Sequence, residues 1–177
     1  MKGDVAELES LIDEMLSYAR LGEHNLLMNQ VEIDLQRWLK EQLAVYAYEK
    51  MTVRCSFVSE GSAGNSRAGL NPDLMARALH NIIRNGLRYA QSTIEIQVKC
   101  TTEVIITICD DGPGIPPALL GRIFEPFSRV ESSRDKDSGG YGLGLAIAER
   151  ILQRHQGRIT AENCKPHGGC FTLQWPR

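Results

Sequence analysis

No apolar run in this sequence approaches the roughly 20 residues that cross a bilayer. The first residues, Met1-Lys2-Gly3-Asp4, lead into a charged pattern instead of a signal-peptide core. The chain as given therefore reads as soluble and not exported. Charge of one sign is also lacking: the formal net charge is −2, which argues against a nucleic-acid partner. The five cysteines (Cys55, Cys100, Cys109, Cys164 and Cys170) contain no C-x-x-C pair, and the four histidines are scattered. Neither a disulfide framework nor a zinc site is expected, only reduced thiols in a reducing compartment. No internal repeat is visible. What remains is an ordinary globular composition, 42% hydrophobic and 24% charged over 177 residues, enough for one domain with a small appendage.

Hydrophobic spacing divides the chain into elements. Residues 4–27 read as one helix. Val5, Leu8, Ile12, Met15 and Ala19 form a seam with alternating steps of three and four, and such a stripe needs a partner helix or a second subunit. A short strand is expected at 31–34. Asp34 then caps a helix to about residue 50, and a strand follows at 52–59. Residues 60–66 are small and polar, a loop. Asn71-Pro72-Asp73 opens a helix with proline in its first turn. Strands are expected at 93–100 and 103–109. Between Asp110 and Gly144 lie seven glycines and four prolines, and only a short helical piece at 118–124 is expected there. A loop this long in a compact domain is usually functional or mobile. A helix at 143–156 and strands at 158–162 and 169–175 close the chain. This order predicts an α+β fold, a two-layer sandwich with helices on one face of a mixed, largely antiparallel sheet.

Three segments carry chemistry. Asn81, Asn85 and Arg88 stand four and three apart, on one helical face. Asparagine offers a neutral carbonyl to a hard cation, and arginine offers fixed positive charge to phosphate. Asp110-Asp111-Gly112-Pro113-Gly114-Ile115 follows a strand, where a carboxylate can accept a hydrogen bond from an exocyclic amine such as that of adenine. Gly139-Gly140-Tyr141-Gly142-Leu143-Gly144-Leu145 opens a helix, baring backbone N–H groups at its positive end. It is neither a P-loop nor a dinucleotide fingerprint. Taken singly, these segments also fit a solvated helix face, a strand-ending turn and a glycine-rich connection.

Their order and separation resemble the GHKL ATPases, the superfamily of gyrase, Hsp90, histidine kinases and MutL, over residues 31–177. Phe124-Glu125-Pro126-Phe127 resembles the F box of sensor histidine kinases. His155-Gln156-Gly157 and Gly168-Gly169-Cys170-Phe171 resemble the closing motifs of that family, with Cys170 where threonine is usual. Residues 11–21 resemble the end of its second dimerisation helix. The resemblance implies the Bergerat ATP-binding fold for 31–177, and the end of the dimerisation hairpin, without its acceptor helix, for 1–28. It implies ATP and Mg²⁺ as ligands. Asn85 would hold the metal, supported by Asn81 one turn earlier. Arg88 would meet phosphate, and Tyr89 would flank adenine. Asp110 would bind the adenine amine, with Gly112, Gly114 and Ile115 shaping the pocket. A lid over residues 116–141 would be anchored by Phe124 and Phe127, with Arg129 and Arg134 as contacts to phosphate. Gly140, Tyr141, Gly142, Leu143, Gly144 and Leu145 would meet the phosphates.

The same resemblance implies transfer of the γ-phosphoryl group to a histidine of a dimerisation domain. It implies a homodimeric full-length protein anchored in the inner membrane, with this domain in the cytoplasm, and a cognate response regulator as partner. Hydrolysing relatives carry a glutamate where Asn81 stands, and an asparagine cannot take the proton from water. None of His24, His80, His155 and His167 has the sequence context of the family's acceptor, so all four read as structural or solvated. An anti-sigma-type serine kinase is the alternative within the same fold, and a hydrolysing nucleotide-gated clamp is a third.

Overall fold

Alternation of apolar residues builds the sheet, and one apolar stripe on each of two helices covers it. The computed structural model describes residues 2–22, 29–47, 49–58, 66–128, 141–164 and 167–177. In chain order the elements are α1 (Lys2–Gly22), β1 (Val31–Asp34), α2 (Leu35–Leu43) with a 3-10 turn (Ala44–Tyr46), β2 (Thr52–Val58), β3 (Arg67–Leu70) and α3 (Pro72–Tyr89). They continue with β4 (Thr93–Cys100), β5 (Glu103–Asp110), α4 (Pro117–Leu120), α5 (Gly144–Arg154), β6 (Arg158–Asn163) and β7 (Gly169–Pro176). Five strands form a sheet in the order β2-β4-β5-β7-β6. Only the β2–β4 pair is parallel, so the expected mixed, largely antiparallel sheet is present.

Ile94, Ile96 and Val98 of β4, Val104, Ile106 and Ile108 of β5, and Phe171, Leu173 and Trp175 of β7 are buried. Alternation places each trio on a single face. Against that face α3 buries Met75, Ala78, Leu79, Ile82 and Ile83, and α5 buries Ala146, Ile147, Ala148, Ile151 and Leu152. Complete burial of a side chain of this kind contributes about 1.5–3 kcal/mol before ordering costs. The opposite face is more polar, with Thr107 and Thr172 paired across β5 and β7 at 3.4 Å.

The caps follow the sequence closely. Asp34 accepts from the Arg37 N–H at 3.1 Å and Asn71 from the Leu74 N–H at 3.0 Å, each opening its helix. Other features differ from expectation. The helix after Asp34 ends at Leu43 and tightens into the 3-10 turn, short of residue 50. Residues 67–70, which carry no alternating signal, form β3 and pair antiparallel with β1 in a separate ribbon. The N-terminal helix is described to Gly22, and its continuation to residue 27 lies outside the described residues.

The α1 seam has no partner among the described residues: Leu8, Ile12, Met15 and Leu16 are exposed. The helix instead docks by its other side. Arg150 stacks over the Tyr18 ring with its guanidinium carbon 3.6 Å from the ring centre, and donates to the Tyr18 carbonyl at 2.7 Å. Arg154 donates to the Leu21 carbonyl at 3.0 Å, and Arg77 bonds to the Ser17 hydroxyl.

The cysteines depart most from expectation. Cys109 lies 61 residues before Cys170 and Cys164 six before it, and strand pairing brings all three sulfurs within 4.8 Å of one another. Cys55 and Cys100 are free thiols. Spacing alone cannot reveal a cluster that needs β5, β6 and β7 side by side.

Two polar side chains pin the frame. His155, 3% exposed, donates from Nδ1 to the Ile151 carbonyl at 2.7 Å and accepts the Asn71 N–H on Nε2 at 3.0 Å. It joins the end of α5 to the start of α3, a structural role as expected. Burial holds its pKa below the ordinary value, as it does for His80, bonded to the Tyr46 hydroxyl and to Gln42. At the other end of α3, Asp111 accepts the Gln91 N–H at 2.8 Å, the Ser92 N–H at 3.0 Å and the Ser92 hydroxyl at 2.5 Å. The Ser92 hydroxyl first, and then the backbone bonds, hold its carboxyl far below the usual carboxylate range.

Two outcomes follow. His155 is neutral in the fold, so the unfolded chain takes up the proton first. Its contribution is present above about pH 6.5 and is lost as pH falls below that value. Urea midpoints of the parent should therefore drop between pH 7 and 5.5. Replacing His155 with Gln should cost about 1–3 kcal/mol at pH 7 and flatten the drop, leaving the share of His80. An unchanged slope would remove His155 from this role. The Asp111 contribution is present above about pH 4 and lost as pH falls further. The melting-temperature gap between the parent and Asp111→Asn should thus be widest near neutrality and close in acid.

Candidate functional site

The polar face of α3 is divided between holding the fold and facing a cavity. Asn81 is buried at 8% exposure. Its Nδ2 donates to the Gly144 carbonyl at 3.0 Å, and its Oδ1 accepts from Arg84 at 2.8 Å. Both ends of the carboxamide are engaged, so Asn81 sets where α5 begins. One and two turns on, Asn85 and Arg88 line the cavity. Arg84 lines it too. It was not among the expected residues, although its position, three after Asn81 and four before Arg88, was the available signal.

At the end of β5, the Asp110 carboxylate accepts the Gly112 N–H at 2.9 Å. A Cβ on Gly112 would stand 2.3 Å from the Tyr89 carbonyl oxygen. Only glycine lets this loop pass so close to the end of α3. The next turn is held by Asn163, at the end of β6. Its Oδ1 accepts the Ile115 N–H at 2.7 Å and its Nδ2 donates to the Ile115 carbonyl at 2.8 Å. No local pattern marks Asn163, because its partner is 48 residues away.

α5 starts at Gly144 with no side-chain cap. Its first N–H groups therefore have no partner from a capping side chain, the condition that suits an anion. Just before it, the Gly142 carbonyl accepts the Phe127 N–H at 2.9 Å.

These pieces enclose a cavity of about 620 Å³. Of the expected residues, Asn81, Asn85, Arg88, Tyr89, Asp110, Gly114, Ile115, Tyr141, Gly142, Gly144 and Leu145 line it. Four described residues do not. Gly112 stands behind the wall and orients Asp110. Leu143 is 1% exposed and belongs to the core, since the turn that opens α5 points it inward. Phe124 packs edge-on against Phe171 with ring centres 6.4 Å apart. Phe127 is not an apolar anchor: it is 57% exposed at a left-handed φ of 63°, and its backbone makes the contact. Arg129, Arg134 and Gly140 lie outside the described residues. Expectation missed Glu14, Asn163 and Phe171, which also line the cavity. The cavity combines the cationic Arg84 and Arg88 with the carboxylates of Asp110 and Glu14, and Ile115, Ile123 and Phe171 supply apolar wall. That is suited to a ligand with an anionic part and a flat, amine-bearing part.

Residues 70–177 match the family described as histidine kinase-, DNA gyrase B-, and HSP90-like ATPase. The sensor protein RstB of Escherichia coli K12 is 38% identical over 176 residues, which is 98% of this chain and 40% of that protein. The chain thus spans about two-fifths of that curated relative. Full-length ShkA, solved in complex with AMPPNP, superposes with a TM-score of 0.79 at 23% identity, over 96% of this chain and 35% of that one. Histidine kinase ThkA, solved in complex with the response regulator protein TrrA, gives 0.76 at 21% identity, over 99% of this chain and 48% of that one. At these identities the two structures speak for the fold. The family match covers more than half of the chain, so the chain belongs to the histidine kinase-, DNA gyrase B- and HSP90-like ATPases.

Proposed function

We propose that this chain binds MgATP and donates the γ-phosphoryl group to a histidine of a dimerisation domain, in two-component signalling. One observation carries the reading: Asn85 and Arg88 of α3, Asp110 of β5 and the uncapped start of α5 converge on a single cavity. Asp110 would accept from the adenine amine, and Tyr89 would flank the ring. The N–H groups from Gly144 onward and Arg88 would meet the phosphates. Asn85 presents a neutral carbonyl to the cavity, a donor suited to Mg²⁺, and that ion would neutralise phosphate charge. Asn81 is spent on Gly144 and Arg84 and is not a base. Water is therefore not activated from this position, and ATP is kept for transfer. Residues 1–28 would be the end of the dimerisation hairpin and 31–177 the catalytic domain. Homodimerisation, membrane anchoring of the full-length protein and a response-regulator partner belong to the same proposal. The ThkA–TrrA assembly supports the response-regulator partner.

Calorimetric titration tests the site. The Asn85→Ala variant should bind MgATP about 1.5–3 kcal/mol more weakly, roughly ten- to a hundredfold in Kd. Its response to removing Mg²⁺ should shrink in parallel, and a variant that binds like the parent would make the metal assignment wrong. A second experiment fixes the acceptor chemistry. Mixed with ATP and a separately prepared dimerisation domain, the chain should label that domain with an acid-labile phosphate. An acid-stable phosphoserine would favour the serine-kinase reading.

A further inference from the structure

On the sheet face turned away from α3 and α5, three cysteines meet behind the cavity. Cys109 precedes Asp110 and, by strand alternation, points to the opposite face. It stands directly across from Cys170 in the β5–β7 register, with Cα atoms 4.1 Å apart. Cys164, just past β6, has its Cα 6.0 Å from that of Cys170. The three sulfurs lie within 4.8 Å of one another, so Cys170 has both neighbours in reach. A sulfur carries one disulfide at a time, so bonds to Cys109 and to Cys164 are alternatives. Cys170 is 6% exposed, and the other two are half-buried and open to small reagents.

Each of these cysteines is the immediate neighbour of a residue lining the cavity: Cys109 of Asp110, Cys164 of Asn163, and Cys170 of Gly169 and Phe171. The turn between β6 and β7 also leans on Asp110. The Cys164 N–H donates to the Gly168 carbonyl at 2.9 Å, and a Cβ on Gly168 would fall 1.8 Å from the Asp110 carbonyl oxygen.

We propose that Cys109, Cys164 and Cys170 form a thiol-oxidation site in which Cys170 makes a disulfide with either neighbour, and that this bond braces the strand ends forming one wall of the nucleotide cavity. The bracing rests on the nucleotide reading above. The oxidant is a peroxide. A half-buried thiolate, Cys109 or Cys164, attacks one peroxide oxygen; an S–O bond forms, the O–O bond breaks, and the departing hydroxide is protonated to water. The Cys170 sulfur, losing its proton, then attacks that sulfenic sulfur, forms the S–S bond and expels a second water. Two thiols have lost two electrons, and hydrogen peroxide has become two waters. The third thiolate can attack Cys170 and release the first cysteine as thiolate, an exchange with no net oxidation. Three thiolates could also hold a soft cation. Among the described residues, however, no histidine, aspartate or glutamate joins them as the fourth ligand of a closed zinc site.

The cavity is open in the arrangement where the sulfurs touch. A bond between them therefore holds the binding-ready wall and lowers the ordering cost of the ligand. The full chain should be treated with hydrogen peroxide, its free thiols alkylated, and its disulfides mapped by peptide mass spectrometry. Both Cys109–Cys170 and Cys164–Cys170 are expected in the parent. Only the second is expected in Cys109→Ser, only the first in Cys164→Ser, and neither in Cys170→Thr. Calorimetry should show the oxidised parent binding MgATP about fivefold more tightly than the reduced parent. Dithiothreitol should reverse the gain, and Cys170→Thr should show none. The site is overturned if all three thiols stay alkylatable after peroxide, if the disulfides run only through Cys55 or Cys100, or if the purified chain holds a metal ion that shields the trio. Equal or weaker binding after oxidation overturns the bracing. Failure of the reduced parent to bind MgATP would refute the nucleotide reading and with it the bracing, while the peptide map would still decide the thiol site.

Discussion

Two buried polar side chains hold α3 and α5 in register, and the site depends on that register. Asn81 reaches from the middle of α3 to the first residue of α5. His155, just past the end of α5, takes the N–H of the residue that caps α3. The helices are thus antiparallel and fastened at two points. Each fastening sits where an unpaired polar atom would be costly, so sliding either helix by a turn breaks both bonds and strands their partners. The apolar contact between the helices is broad but would tolerate such a slide. The polar pair does not, and it delivers the open end of α5 to the face bearing Asn85 and Arg88.

The opposite wall is built from strand ends. β5 ends on Asp110, β6 on Asn163, and β7 begins at Gly169. Antiparallel pairing brings these positions to one edge of the sheet. Asp111 ties the same edge to the corner after α3. One wall is therefore set by helix packing and the other by strand register, and the cavity lies where the two systems meet.

What could be read in the sequence was what repeats locally. Ile94, Ile96 and Val98 declare a strand by alternation, and Asn71-Pro72 declares a helix start by capping chemistry. Asn81, Asn85 and Arg88 share a face because helix spacing requires it. Long-range partnership was hidden. β3 is four residues long and contains a glycine, and it becomes a strand only because β1 lies beside it. Asn163 and the cysteine trio gain meaning from positions tens of residues away. Leu143 and Phe127 sat in recognised motifs, but the path of the backbone at each, inward for one and left-handed for the other, decided where the side chain went.

The attachment of α1 has a different character. Arg150 and Arg154 address backbone groups of α1, the carbonyl oxygens of Tyr18 and Leu21. The Tyr18 ring adds a side-chain preference on the part of Arg150. The joint therefore reads backbone and side chains together, with the Arg77–Ser17 bond and the buried Leu21 adding to the Tyr18 ring. Positions of α1 outside these contacts are free to diverge, while Ser17, Tyr18 and Leu21 must stay for the body to keep its grip: a coupling keyed to a few positions.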